Sequence, residues 1–231
     1  MPPEVSRILI EITVWAIPVL IAVTLHEAAH GFVAWRLGDD TAKLQGRVTF
    51  NPLKHVDPFG TILLPAMLLF ASSGQVMFGY ARPVPVNFGR LRKPRRDMIL
   101  VAASGPGINL ALAVISALLY HLVPLTSGAF QQWFAQNLEN SLWINVLLCV
   151  FNMLPIPPLD GGRVAVGVLP YPLAVRLAGL ERAGMLIILA AVFLLPWLGG
   201  QIGVDLNVFS WLVGRPAQHL GQFIADLTGI T

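Results

Sequence analysis

Apolar residues fall along this chain in blocks, separated by stretches that collect nearly all of the charges and most of the prolines. The first block, Ile8 to Leu25, has no glycine and one internal proline, Pro18. Its helical character continues through HEAAH and GFVAWRL to Gly38, a plausible C-terminal stop. From Thr41 to Asp57 the pattern breaks, with β-branched Val48 and Thr49 after Gly46 and a breaker at Asn51-Pro52, which predicts a short hairpin or extended segment. Gly60 to Ser72 is apolar but short and contains Pro65, so a re-entrant segment is expected there. Gly79 to Pro94 is a polar connection with the extended run RPVPVNF. Met98 to Val123 is a second span, with Ser104, Gly105 and Gly107 permitting close helix approach and Pro106 expected to kink it. Ser141 to Leu154 is a third, preceded by the amphipathic QQWFAQNLEN and ended by Pro155, Pro157 and Pro158; Ala183 to Leu198 is a fourth. The tail from Val204 to Thr231 is a fifth span or an amphipathic surface piece.

Composition turns these blocks into a class. The 231 residues are 55% hydrophobic and 12% charged, against about 45–50% and about 25% in a soluble domain, and mean hydropathy is +0.70. A water-soluble globule is excluded. The expectation is an all-α multi-pass membrane protein with about four to six membrane segments and a small embedded β element. It forms one membrane-embedded domain over 1–231, its core motifs within 8–162, with 41–97 a β/re-entrant region and 163–231 C-terminal helices. The net charge of +3 reports topology rather than a nucleic-acid partner, because the cations sit beside apolar runs. Three groups, Arg36 to Lys54, Arg82 to Arg96, and Arg163 to Arg182, are expected on the cytoplasmic side of a cell's inner membrane. Threading the spans accordingly brings Asp160 to the same membrane end as HEAAH. The lone Cys149 allows no internal disulfide and no cysteine metal cluster, so a metal must use His, Asp or Glu.

His26-Glu27-Ala28-Ala29-His30 carries the chemistry. Four residues of helix return the two imidazoles to one face, about 6 Å apart along the axis, so both can bind one Zn²⁺ with Glu27 beside the open position. Zinc lowers the pKa of bound water to about 7, and a carboxylate there can take its proton and deliver it to a leaving amine. A catalytic zinc usually has three protein ligands. Asp160, the Asp at the end of a membrane segment, is the candidate third; its alternative is a turn residue before Gly161-Gly162. His55 and Asp57 form a weaker pair that either caps the zinc in a closed state, gates water entry or binds a second metal, or else holds a tight interfacial turn together with Asn51.

HEAAH in a first membrane helix, followed about 120 residues later by FNMLPIPPLDGGRV, resembles the site-2 protease family of intramembrane zinc metalloproteases. Gly105-Pro106-Gly107-Ile108-Asn109 is similar to that family's GPxxN segment, and Asn51 to Gly60 to the signature of a compact prokaryotic branch without PDZ or CBS domains. The resemblance implies His26, His30 and Asp160 as ligands of one Zn²⁺, Glu27 as general base, Asn152 as a contact to the substrate backbone or oxyanion, and Asn109 as a supporting polar residue. It implies as partners the lipid bilayer and a membrane-protein substrate, either a single-pass helix or a remnant signal peptide.

A helical substrate must unwind before its carbonyl can be reached, and an edge strand would satisfy the backbone groups that lipid cannot. Gln45 to Phe50 and Pro83 to Phe88 are candidates for such capture; the alternative is a hairpin that only covers the active-site helix. Two other functions remain open at this stage: a metal transporter using the same ligands without hydrolysis, and a catalytically silent scaffold.

Overall fold

The structure, a computed structural model, describes residues 3–63, 67, 70, 79 and 81–230. Helix α1 (Pro3–Arg36) starts before the expected boundary and ends where Gly38, at φ 114°, turns the chain out of the helix. Pro18 lacks an N–H for the carbonyl of Val14. Asn140 from a neighbouring helix donates to that carbonyl at 2.8 Å instead, so the proline is absorbed without leaving a buried acceptor unpaired.

Helix α2 (Pro94–Tyr120) opens with proline in its first turn, and Asp97 in that turn accepts the Lys93 N–H at 2.8 Å. Both features suit the donor-rich start of a helix. Helix α3 (Gly128–Asn152) unites the amphipathic stretch and the expected third span in one rod of 25 residues. Short helices α4 (Asp160–Val168) and α5 (Tyr171–Gly179) lead to α6 (Glu181–Ile202), and α7 (Arg215–Thr228) closes the chain.

Three of these helices are long and apolar enough to cross a membrane: α1 from Ile10, α2 and α6. At 1.5 Å per residue α3, about 37 Å long, has the length, but it is too polar to qualify by composition. Its Asn137, Asn140 and Asn145 turn inward to bond within α3 and to α1 and α2. It is a central helix, packed against α1, α2 and α7. The outward faces of the other helices carry exposed Ile12, Trp15, Ile115, Leu118, Leu186 and Trp197, where a soluble protein would place charges. Inside, Ala113 and Ala117 of α2 pack on Leu142 and Val146 of α3 and on Ala217 and Ile224 of α7. Small residues at such seams let helix backbones approach, which replaces the hydrophobic drive that lipid does not supply.

The region between α1 and α2 departs from expectation. Thr41–Leu44 is a single helical turn, residues 45–50 are turns and bends, Pro52–Lys54 is a 3₁₀ turn, and Pro58–Leu63 winds as a wide turn. Among the described residues there is no β-strand. Residues 81–87 are extended but spend their described amide bonds elsewhere: Arg82 donates to the His55 carbonyl, Val84 to the Glu27 side chain and Asn87 to the Asp39 side chain. A segment whose donors go to side chains and loops has none of them left for a ladder. The re-entrant reading of Gly60 to Ser72 falls for the most part on 64–66, 68–69 and 71–72, which lie outside the described residues.

Candidate active site

Three elements distant in sequence meet on the inner side of α1. His26 and His30, one helical turn apart, present their Nε2 atoms 3.1 Å from each other, and Asp160 Oδ2 lies 3.2 Å from the first and 3.3 Å from the second. Asp160 arrives because the chain ends α3 at Asn152, folds through Met153 to Leu159 and starts α4 with this carboxylate, where the helix dipole favours negative charge. The glycines that follow are a packing necessity. A Cβ on Gly161 would sit 2.2 Å from the Met153 carbonyl oxygen, and one on Gly162 2.3 Å from the Pro157 nitrogen.

The imidazole tautomers follow from their outer partners. His30 Nδ1 lies 2.8 Å from the Val101 carbonyl oxygen, which only accepts, so Nδ1 carries the proton and donates. His26 Nδ1 faces Asn109 Oδ1 at 2.5 Å. The orientation of that amide is set further out, since Asn109 Nδ2 donates to Asn145 Oδ1 at 2.8 Å and Asn145 Nδ2 donates to the Ser141 carbonyl at 2.8 Å. Both neutral rings therefore turn bare Nε2 lone pairs toward each other and toward a carboxylate oxygen that has no hydrogen-bond donor of its own. Three buried lone-pair donors converge on one point. Without a cation that arrangement is repulsive; with one it is a ligand set.

Its dimensions fit zinc. A tetrahedral ion with ligand bonds of about 2.0 Å requires ligand–ligand edges of about 3.3 Å, and the three edges measured are 3.1, 3.2 and 3.3 Å. As a ligand Asp160 must be deprotonated, and its buried Oδ2, without a hydrogen-bond donor, is free to bind a cation. Gly105 of α2 packs against both imidazoles: a Cβ there would lie 2.4 Å from His30 Nε2 and 2.6 Å from His26 Nε2. Only glycine leaves the ion its room.

Glu27 lies on the same cavity, of about 320 Å³, which is also lined by Val84, Phe151, Asn152 and Arg163. One of its oxygens accepts the Val84 N–H at 2.7 Å. Asn152 spends one amide N–H on the Leu148 carbonyl at 3.0 Å and retains a second, along with Oδ1, for another partner.

The structure therefore brings together His26, His30, Asp160, Glu27, Asn152 and Asn109. His55 and Asp57 lie elsewhere. The His55 Nε2 bonds the Thr49 carbonyl at 3.1 Å, and Asp57 accepts the Gly60 N–H at 2.7 Å, so both hold the turn after Asn51. Neither is among the three grouped metal-ligand side chains. Residues that sequence reading overlooked are Asn145, the carbonyl of Val101 and the N–H of Val84. The first looked like one polar position among many in α3, and backbone groups leave no sequence signal.

A helical membrane protein whose first long helix presents HExxH to a third ligand defines the class of membrane-embedded zinc metalloproteases. The chain belongs to peptidase family M50, the site-2 proteases, whose family model matches residues 14–141 and 121–195. It is 41% identical over 190 residues to "Putative zinc metalloprotease YwhC" of Bacillus subtilis (strain 168), covering 80% of this chain and 82% of that one. It is 32% identical over 201 residues to "Putative zinc metalloprotease Rip2" of Mycobacterium tuberculosis (strain ATCC 25618 / H37Rv), covering 84% and 70%. The Rip2 protein of Mycolicibacterium smegmatis (strain ATCC 700084 / mc(2)155) is 33% identical over 145 residues, covering 62% of this chain and 52% of its own. No solved structure matches the chain significantly. The expected family and its zinc cofactor are thereby borne out.

Proposed function

We propose that this zinc metalloprotease hydrolyses peptide bonds within membrane-spanning helices of other membrane proteins. The observation that carries the reading is the convergence of His26, His30 and Asp160 on one point beside Glu27, inside a bundle with an apolar exterior. Zinc held by those three side chains would supply Lewis acidity for the scissile carbonyl and for the attacking water. The rest is done by the chain. Glu27 takes one proton from the attacking water and passes it to the leaving nitrogen, and the second water proton follows as the C–N bond breaks and the new C–O bond becomes a carboxylate, so the products are a carboxylate and an ammonium. Asn152 offers its remaining N–H and its Oδ1 to the unwound substrate backbone. The fixed dipoles behind His26 hold the site in one geometry before substrate arrives.

Capture of unwound substrate is assigned to residues 81–87, because Ala81, Pro83, Val84 and Val86 line the cavity. The substrates this reading favours are single-pass membrane proteins or remnant signal peptides, whose helices are free enough to unwind. It places the active site on the cytoplasmic side of an inner membrane, where Arg36, Lys43 and the cations from Arg90 to Arg96 collect at the same end of α1 and α2. The Lys43 ammonium stands 3.7 Å from the Trp35 ring centre, as is common at a membrane interface.

The test has two arms. Zinc content of the detergent-purified protein is expected at about one per chain and lost or greatly weakened in His26→Ala and Asp160→Ala. A panel of tagged single-pass proteins co-expressed with wild type should include members cut within their apolar segments, and Glu27→Gln should abolish cutting while retaining zinc. Cleavage by Glu27→Gln, or zinc binding unaffected by loss of Asp160, would refute the reading.

A further inference from the structure

We propose that the extended strap Ala81–Asn87 is a positioning device for Glu27: the Val84 N–H holds one carboxylate oxygen, and buried Arg47 fixes the peptide that aims it. This rests on the role given to Glu27 above and adds residues to it.

Three observations carry it. First, in Pro83-Val84-Pro85 both flanking residues lack an N–H, so Val84 is the one amide donor of the tripeptide, and it is spent on Glu27 Oε2 at 2.7 Å. Proline on both sides also removes backbone freedom, so the donor is held in place before the carboxylate meets it. Second, the strap is tied on either side of that point. The Arg82 N–H donates to the His55 carbonyl at 2.9 Å, and the Asn87 N–H to Asp39 Oδ2 at 2.6 Å. The Val84 side chain is buried, in the space that a Cβ on Gly31 of α1 would contest at 3.0 Å.

Third, Arg47 lies beneath the strap with 6% of its surface exposed, and one Nη of its guanidinium donates to the Arg82 carbonyl at 2.7 Å and the Pro83 carbonyl at 3.4 Å. The Pro83 carbonyl belongs to the same peptide unit as the Val84 N–H. Fixing one end of that unit fixes the direction of the other. A buried guanidinium is costly without an anion, and the charges felt by Arg47 are repulsion from Arg82 and attraction from Glu27. Its Nε is buried without a partner, so Arg47 is held here at a cost that packing alone does not explain.

The consequence is a division of labour within Glu27. One oxygen is held by a charge-assisted bond, which removes the rotamer freedom of a long side chain, and the other stays free for the attacking water. Strand capture of substrate along the strap must then use its carbonyls and other amides, because the Val84 N–H is already committed.

The experiment reads geometry and rate separately. Residue-resolved amide hydrogen exchange on the detergent-solubilised, zinc-loaded full chain should show Val84 protected in wild type. Exchange at Val84 should quicken by tenfold or more in Glu27→Ala and in Arg47→Met, with zinc content unchanged. On a membrane-helix reporter that wild type cuts, Arg47→Met should lower kcat about ten- to hundredfold, the range for losing a hydrogen bond to a charged group. KM should stay within about threefold, and Arg47→Lys should recover most of kcat. If Arg47→Met does not fold, Arg47→Lys and Glu27→Ala carry the exchange measurement. Unchanged Val84 exchange in Glu27→Ala would overturn the proposal, as would an effect of Arg47 that falls on KM alone. Absence of any reporter cleavage by wild type would instead count against the intramembrane reading, and the exchange result would still decide the positioning.

Discussion

Replacing Gly105 by alanine probes the metal site without touching a ligand. An added Cβ would stand 2.4 Å from His30 Nε2 and 2.6 Å from His26 Nε2, where ordinary contact begins at 3.4 Å. The imidazoles would have to retreat by about 0.8–1.0 Å, several times the roughly 0.2 Å tolerance of a metal–ligand bond. They cannot do so together, because His30 is tied to the Val101 carbonyl and His26 to Asn109 on the same helix that carries residue 105. The helix itself accepts the change, alanine being a better interior residue than glycine by about 1 kcal/mol. Zinc should therefore be lost from a protein that remains folded, with affinity down by at least 10²-fold, about 2.7 kcal/mol or more. The assay is zinc content by mass spectrometry together with competition against a chelator, with thermal unfolding of the zinc-free protein as the check on folding. A Gly105→Ala protein that keeps about one zinc per chain at wild-type affinity would refute the geometry proposed for the site.

Two further outcomes follow from the hydrogen bonds around it. Asn145→Leu, remote from the metal, frees the Asn109 amide that fixes the His26 tautomer and should weaken zinc about 10–100-fold; chelator competition giving wild-type affinity would show that the relay is idle. At Asp39, burial raises the carboxyl but the Thr41 hydroxyl, the Asn87 N–H and the Thr41 N–H outweigh it, leaving the group below its ordinary value. Its contribution to stability is present above the unfolded value near 3.9 and is lost as pH falls through the lower folded one. Amide exchange of the strap, corrected for intrinsic rate, should accordingly rise at acid pH below that window, and Asp39→Asn should show the same loosening at neutral pH.

Much of this protein is written locally. The apolar blocks predicted α1, α2 and α6 because a helix that crosses lipid must be apolar over its whole length, a signal too long to miss in α1 from Ile10 or in Glu181–Ile202. His26, Glu27 and His30 were legible because helical spacing alone places them on adjoining faces of one turn. Asp160 was legible with the help of the expected threading of the spans, and it does lie beside His26 and His30. What the sequence could not decide is everything set by groups with no periodicity and no side-chain signature. The strand expected at Pro83 to Phe88 fits its residue types, yet two of its donors, the amides of Val84 and Asn87, were claimed by Glu27 and Asp39, and only the path of the chain reveals that competition. The polar residues of α3 hid its length from a hydropathy reading and turned out to be the ties to α1 and α2. The tautomer of His26 depends on Asn145, two helices away, and the room for zinc on an atom that Gly105 does not have. Ligand identity is a property of residue type and spacing, which a sequence carries; the direction of a lone pair is set by partners across helix interfaces, which exist only once the chain is folded.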